Sequence, residues 1–167
     1  MLNGFTLGTP WIYSIDPVKS PVEWRINDSL VLKGSIDTGY AHSFMGTLFD
    51  GLITFDMAGL NAYDLKQNLF IHGQPVFNTS KYPLCSLAFT KGEWDGYRKY
   101  RTTGVLTLKD ISKPIHFTWK RGIPDTTRKS ERSFYTRLII DNESFDIAGG
   151  NASTILEVNT SGTGQNF

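Results

Sequence analysis

Residues Gly104 to Phe117 read as a two-stranded hairpin, which ties the chain to β-structure built from short antiparallel strands. Val105 to Lys109 alternate in a β-rich run, and Ile115-His116-Phe117-Thr118-Trp119 alternate again. Between them, Asp110-Ile111-Ser112-Lys113-Pro114 has the composition of a turn. A period of two puts successive side chains on opposite faces, so each arm has one face for a core and one for solvent.

The same period recurs along the chain. Trp11, Tyr13 and Ile15 share one face of a first strand, which Pro17 ends because proline cannot donate to a ladder. Val22, Trp24 and Ile26 share a face of a second. Val31 to Ile36 is a third, ending at a predicted turn, Asp37-Thr38-Gly39. Phe44 to Phe49 is a fourth, turning at Asp50-Gly51, and Ile53, Phe55 and Met57 continue in register. Between Leu60 and Phe77 the spacing changes. Leu60, Asp64, Leu65, Leu69 and Phe70 predict a short helical segment around residues 60–70, followed by an irregular crossing to Lys81-Tyr82-Pro83. Cys85, Leu87 and Phe89 mark the next strand, and Asp95-Gly96 the tip of a turn. Phe134, Thr136, Leu138 and Ile140 alternate with Tyr135, Arg137 and Ile139, and Thr154 to Asn159 is a last strand. The Gly/Ser/Thr-rich tail from Thr160 to Phe167 is expected to fray. Eight or nine short strands in 167 residues, without a repeat or an internal linker, predict one all-β domain over 1–167 with its core at about 11–159. The pattern fits a barrel or a sandwich; closure into a barrel would remove the exposed edges.

Charge and motif content narrow the function. The net charge of +1 leaves no electrostatic footprint for nucleic acid, and no phosphate-binding loop or dinucleotide fingerprint occurs. No stretch approaches the roughly 18 apolar residues of a membrane span. One cysteine, Cys85, excludes an internal disulfide and reads as a small buried strand residue. His42, His72 and His116 are far apart, without metal-ligand spacing, so no metal and no cofactor is expected. Asp16, Asp56 and Asp64 stand where turns and caps need them, and Ser43 and Ser86 lack a nucleophile-elbow context, so no catalytic residue is assigned and no enzyme is expected. The N-terminal ten residues lack the basic start and apolar run of a signal peptide. The expectation is a periplasmic or extracytoplasmic protein if a signal has been removed, and a cytoplasmic one otherwise.

Several segments together resemble the bacterial YceI-like family. Tyr13-Ser14-Ile15-Asp16 with Ser20-Pro21-Val22-Glu23-Trp24 is similar to its opening. Gly51-Leu52-Ile53-Thr54-Phe55-Asp56-Met57 resembles its Gly-x-(Ile/Phe)-x-(Ile/Phe)-Asp-Met strand. Asp64, His72, Lys81-Tyr82-Pro83 and Phe89 follow in the family's order, and Gly104 to Ile115 resembles its signature hairpin, with Asp110 where the family usually has Gly. The resemblance implies a lipocalin-like antiparallel β-barrel that binds or carries a long apolar ligand without catalysis: a polyisoprenoid, an isoprenoid quinone or a fatty-acid derivative. A packed barrel serving as a structural or protein-interaction module is the alternative, and a homodimer is compatible with either.

The aromatic share of 13% supplies candidates for the lining of such a barrel. Trp24, Phe44, Phe55, Phe70, Phe89, Leu106, Phe117, Trp119 and Leu138 lie on apolar faces, where each either fills a core or lines a cavity. His42 and His72 are candidates either for contact with a ligand headgroup near the mouth or for bracing the long crossing.

Overall fold

The computed structural model describes residues 11–27, 29–44, 47–122, 131–149 and 152–166, and the side chains of all these except 44, 47–49, 91 and 166. Residues 123–130 and the N-terminal ten residues lie outside them. Nine strands and one helix are described: β1 (Trp11–Ile15), β2 (Val22–Ile26), β3 (Leu30–Phe44), β4 (Thr47–Asn61), α1 (Leu65–His72), β5 (Leu84–Trp94), β6 (Lys99–Leu108), β7 (Ile111–Arg121), β8 (Glu131–Asp141) and β9 (Ser153–Asn166). All pairings are antiparallel, and a β3–β4 ladder closes the sheet.

β1 and β2 are two halves of one stave, so the nine strands form an eight-stave barrel. Both pair with β3 on one side and β9 on the other, at different heights. Between them Pro17 opens a 3-10 turn, where the Asp16 carboxylate accepts the Val18 N–H at 3.0 Å. Ser20 ties the interruption to β9, accepting the Ser161 N–H at 2.9 Å.

Two predicted turns prove to be parts of long strands. Asp37-Thr38-Gly39 lies inside β3 as a bulge, with the Thr38 N–H donated to the Thr54 hydroxyl at 3.1 Å. Asp50-Gly51 lies inside β4, where the Phe89 ring covers the Gly51 backbone so closely that a Cβ would sink into it. A small barrel needs long coiled strands, and bulges and glycines provide the bending that also marks turns in sequence. The opening hairpin is tighter than predicted: Leu108 pairs with Ile111, leaving a two-residue turn at Lys109-Asp110. Both have positive φ, 55° and 61°, as a type I′ turn requires, so an Asp stands where glycine is usual. Pro114 pairs with Val105 inside β7 and is accommodated because the ladder from β7 to β8 holds only two pairs among the described residues, Lys120 with Tyr135 and Arg121 with Phe134. The tail expected to fray is strand instead: Gly162 to Asn166 pair with β1, and Thr160 to Thr163 with β8. Its small residues suit close backbone approach, since a Cβ on Gly162 would run into the Ser14 carbonyl.

The helix forms close to where its spacing places it, capped by Asp64, whose carboxylate accepts the Gln67 N–H at 2.9 Å. It and the following loop close one end of the barrel. Ile71, Val76 and Phe77 are buried there with Phe145 and Ile147 from the β8–β9 connection. Lys109 fastens this end: its buried ammonium donates to the Asp146 carbonyl at 2.6 Å and the Gln74 carbonyl at 3.3 Å.

Candidate functional site

Alternation sends the larger apolar side chain of each strand inward, and the interior divides into two zones. Toward the closed end it is solid. Trp24 is 0% exposed and meets Phe77 and Phe55 edge to face at centroid distances of 5.4 and 6.1 Å. Phe55, Leu106 and Leu138 are equally enclosed. Toward the opposite end the rings of Tyr13, Phe89, Trp119 and Phe134 gather with Ile15, Ala41, Ile53 and Thr160 around a residual cavity of about 10 Å³, room for a single water.

Of the residues singled out from sequence, Phe89 and Trp119 border the cavity, and Phe117 packs on both, at 6.2 and 5.7 Å. Trp24, Phe55, Leu106 and Leu138 face inward as filled core. The Phe44 side chain lies outside the described residues. Phe70 is a correction: it sits 49% exposed on α1, outside the barrel, because Ile71 is the helix residue that turns into the core. The His72 ring nitrogens are engaged by the Thr79 hydroxyl at 2.6 Å and the Leu60 carbonyl at 2.8 Å, which ties the end of α1 to the end of β4 and to the crossing. His42 lies across β3–β4 from Asp50 and bonds to its carboxylate, while the neighbouring Ala41 is the residue that faces the cavity; alternation turns His42 to the outer wall.

Tyr13, Ile15, Ala41, Ile53, Phe134 and Thr160 border the cavity without having been singled out from sequence. Tyr13 and Phe134 were legible as inward positions on their strands, sharing the phase of Ile15 and of Leu138. Thr160 was not, because its strand looks like a linker in composition.

Polar chemistry inside is sparse. The Tyr13 hydroxyl donates to the Arg132 carbonyl at 3.0 Å and lies 3.1 Å from the Thr160 hydroxyl. Burial pushes its pKa up to about 12, opposed by the Thr160 hydrogen bond. Desolvation also raises Tyr100, with Arg121 acting against it, and burial raises the Cys85 thiol. Among the described residues no group of three or more His, Cys, Asp or Glu converges to hold a metal. Among the described residues no helix is long and apolar enough to cross a membrane.

The raised Tyr13 pKa makes an alkaline prediction. Folding favours the neutral phenol, so its contribution, on the order of 2–3 kcal/mol for a shift from 10.0 to about 12, is complete below pH 10 and disappears as pH rises through about 12. Urea midpoints measured from pH 9 to 12 fall for the wild type and fall less steeply for Tyr13→Phe. Tyr100, shifted in the same direction, leaves a residual slope.

A closed eight-stave antiparallel barrel, plugged at one end and ringed with aromatics at the other, places the chain among the lipocalin-like barrels. Its sequence matches the YceI-like domain over residues 13–163, and the chain belongs to the YceI-like family. Among curated relatives, the UPF0312 protein plu2095 of Photorhabdus laumondii is 31% identical over a stretch covering 40% of this chain and 42% of that protein, so the match spans less than half of the relative. Three solved structures share the fold. BcnA of Burkholderia cenocepacia is 18% identical with a TM-score of 0.72, over 89% of this chain and 99% of that one. A polyisoprenoid-binding domain of Saccharophagus degradans implicated in plant cell wall breakdown is 10% identical with a TM-score of 0.68, over 92% and 98%. The Campylobacter jejuni YCEI protein is 18% identical with a TM-score of 0.58, over 86% and 84%.

Proposed function

We propose that this barrel binds and carries a long apolar chain, a polyisoprenoid or an amphiphile of similar length, without transforming it. The observation that carries the reading is the aromatic-lined cavity at the end opposite the α1 plug. Membership of the YceI-like family and the fold shared with a polyisoprenoid-binding domain support it. The space left by the rings is small, so a ligand takes its place by displacing them. Phe134, only half-buried, forms one of the two pairs that join β7 to β8 among the described residues, where the wall has least to break. Burial of each five-carbon isoprenoid unit contributes roughly 3–4 kcal/mol before entropy losses, so two or three units suffice for micromolar affinity.

Uptake of N-phenyl-1-naphthylamine and its displacement by isoprenoid alcohols test this. The expected result is saturable uptake near one probe per chain, with geranylgeraniol displacing better than geraniol. Absence of saturable uptake contradicts it. One observation favours the second reading, a packed interaction module: α1 turns Leu65 and Leu69, 75% and 69% exposed, to solvent with Phe70 beside them. That reading gives no probe uptake and a self-association or partner binding abolished by Leu69→Glu.

A further inference from the structure

The turn joining β5 to β6 stands at the end of the barrel opposite α1, because the β6–β7 turn at Lys109 is fastened to the closed end. The Asp95 N–H bonds to the Lys99 carbonyl at 3.0 Å, and Gly96, Tyr97 and Arg98 form the tip between them. Tyr97 is 81% exposed there. Trp94, at the base of the tip, packs on the Tyr100 ring at 5.0 Å and is still 43% exposed. Tyr100 in turn pairs with Trp119, which borders the aromatic cavity. Two rings therefore meet solvent at the rim of the cavity end.

Cations surround these rings. Lys99 pairs directly with Lys120 across β6–β7, and the Arg121 N–H donates to the Arg98 carbonyl at 2.7 Å, which sets two arginines side by side. Arg101 follows two residues along β6, opposite Thr118. Like charges directly opposite in a ladder destabilise it. Among the described residues no carboxylate comes within ion-pair distance of Lys99 or Lys120 to offset this. Lys120 lies instead over the Tyr135 ring, 5.9 Å from its centroid. The acids here are Glu93, in register with Arg101, and Asp95, whose carboxylate accepts the Tyr97 N–H at 3.1 Å. Residues 93–101 and 118–122 hold five cations against two acids, in a chain whose net charge is only +1. Positive charge is thus gathered at the same end as the exposed rings.

Tryptophan and tyrosine suit the headgroup layer of a bilayer, where an amphipathic ring is half buried and half wet, and lysine and arginine beside them meet anionic headgroups. The rings project from a hairpin tip, so they can enter a soft layer but form no groove that tracks a polynucleotide backbone. We propose that the β5–β6 tip and the adjoining end of β7 dock this protein on an anionic lipid bilayer. Tyr97 and Trp94 then sit among the headgroups, with Lys99 and Lys120 against their phosphates. The contact is peripheral, and it turns the cavity end of the barrel toward the lipid. It stands independently of the carrier reading, since docking needs no cargo.

Flotation with vesicles of phosphatidylcholine alone, and of phosphatidylcholine with about one-third phosphatidylglycerol, tests this. The wild type is expected to float with the anionic vesicles, to stay behind with the neutral ones, and to be released by about 0.5 M salt, which screens exposed charges. Lys99→Gln combined with Lys120→Gln is expected to partition about 25-fold less, near fivefold for each cation removed. Its urea midpoint stays at or above the wild-type value, because an opposed like-charge pair is gone. Tyr97→Ser weakens docking severalfold without changing the charge. Lys66→Gln combined with Lys81→Gln makes the same charge change at the closed end and keeps wild-type docking. Absence of flotation with anionic vesicles, equal flotation with both lipids, or equal loss in the two double variants overturns the proposal. Capture of an acidic protein or an oligonucleotide by this face, without flotation, overturns it as well. All of these leave the uptake of a ligand inside the barrel to be read separately.

Discussion

Trp24→Ala lowers the unfolding free energy by about 3–5 kcal/mol, the usual cost of removing a large aromatic from a core that cannot collapse around the gap. Trp24 is fully enclosed, its ring edge-on to Phe55 and Phe77 and so close to Gly34 that a Cβ there would press on the indole. It also sits on β2, the short half-stave that bridges β3 and β9, paired with Leu32 and Leu156. Losing it loosens the lower barrel and the seat of the Phe77 plug together. A domain of this size has about 5–15 kcal/mol in total, so the variant unfolds at far lower urea with an unchanged slope. A loss below about 1 kcal/mol would show that the closed end is looser than the structure has it.

Asn142→Leu is expected to be the next most damaging change, at about 2–4 kcal/mol, because it leaves several buried partners unsatisfied at once. The Asn142 side chain is 0% exposed. Its amide donates to Asn27 Oδ1 at 3.0 Å and more weakly to the Ala148 carbonyl at 3.4 Å, and its oxygen accepts the Thr154 hydroxyl at 2.6 Å. One side chain therefore joins the end of β2, the β8–β9 connection and the start of β9. Urea titration gives the magnitude. Amide exchange gives the location, with faster exchange expected around residues 142–149 and at the Asn27 N–H bonded to the Ser153 carbonyl.

The fold was legible where alternation is strong. β8 was readable to the face, with Thr136, Leu138 and Ile140 in and Arg137 and Ile139 out, and so was the break at Pro17. What eluded sequence reading has one physical origin: the curvature of a closed barrel. Asp37-Thr38-Gly39 and Asp50-Gly51 have turn chemistry because bulges and ring-covered backbone ask for the same residues as turns. The Gly-rich end of β9 looked like a tail because close pairing with β1 excludes the β-branched side chains that advertise a strand.

The cavity was half legible. Period two finds inward residues, which is how Phe89 and Trp119 were found, but it does not say how far along the barrel a residue lies. Trp24 and Phe55 have the same phase as Phe89, and they are solid core only because the α1 loop and the β8–β9 connection fill the space beneath them. Phe70 shows the complementary failure. On a helix of eight residues, one step in phase separates a core residue, Ile71, from a half-exposed one.

Native mass spectrometry with solvent extraction tests the central claim most directly, on wild type and on Ala41→Leu, which fills the cavity from β3. After incubation with geranylgeraniol, the wild type should carry one added chain per protein, released intact by organic solvent, while the folded variant carries little or none. Bare protein in every wild-type preparation, or equal loading of the two proteins, would contradict a ligand held inside the barrel.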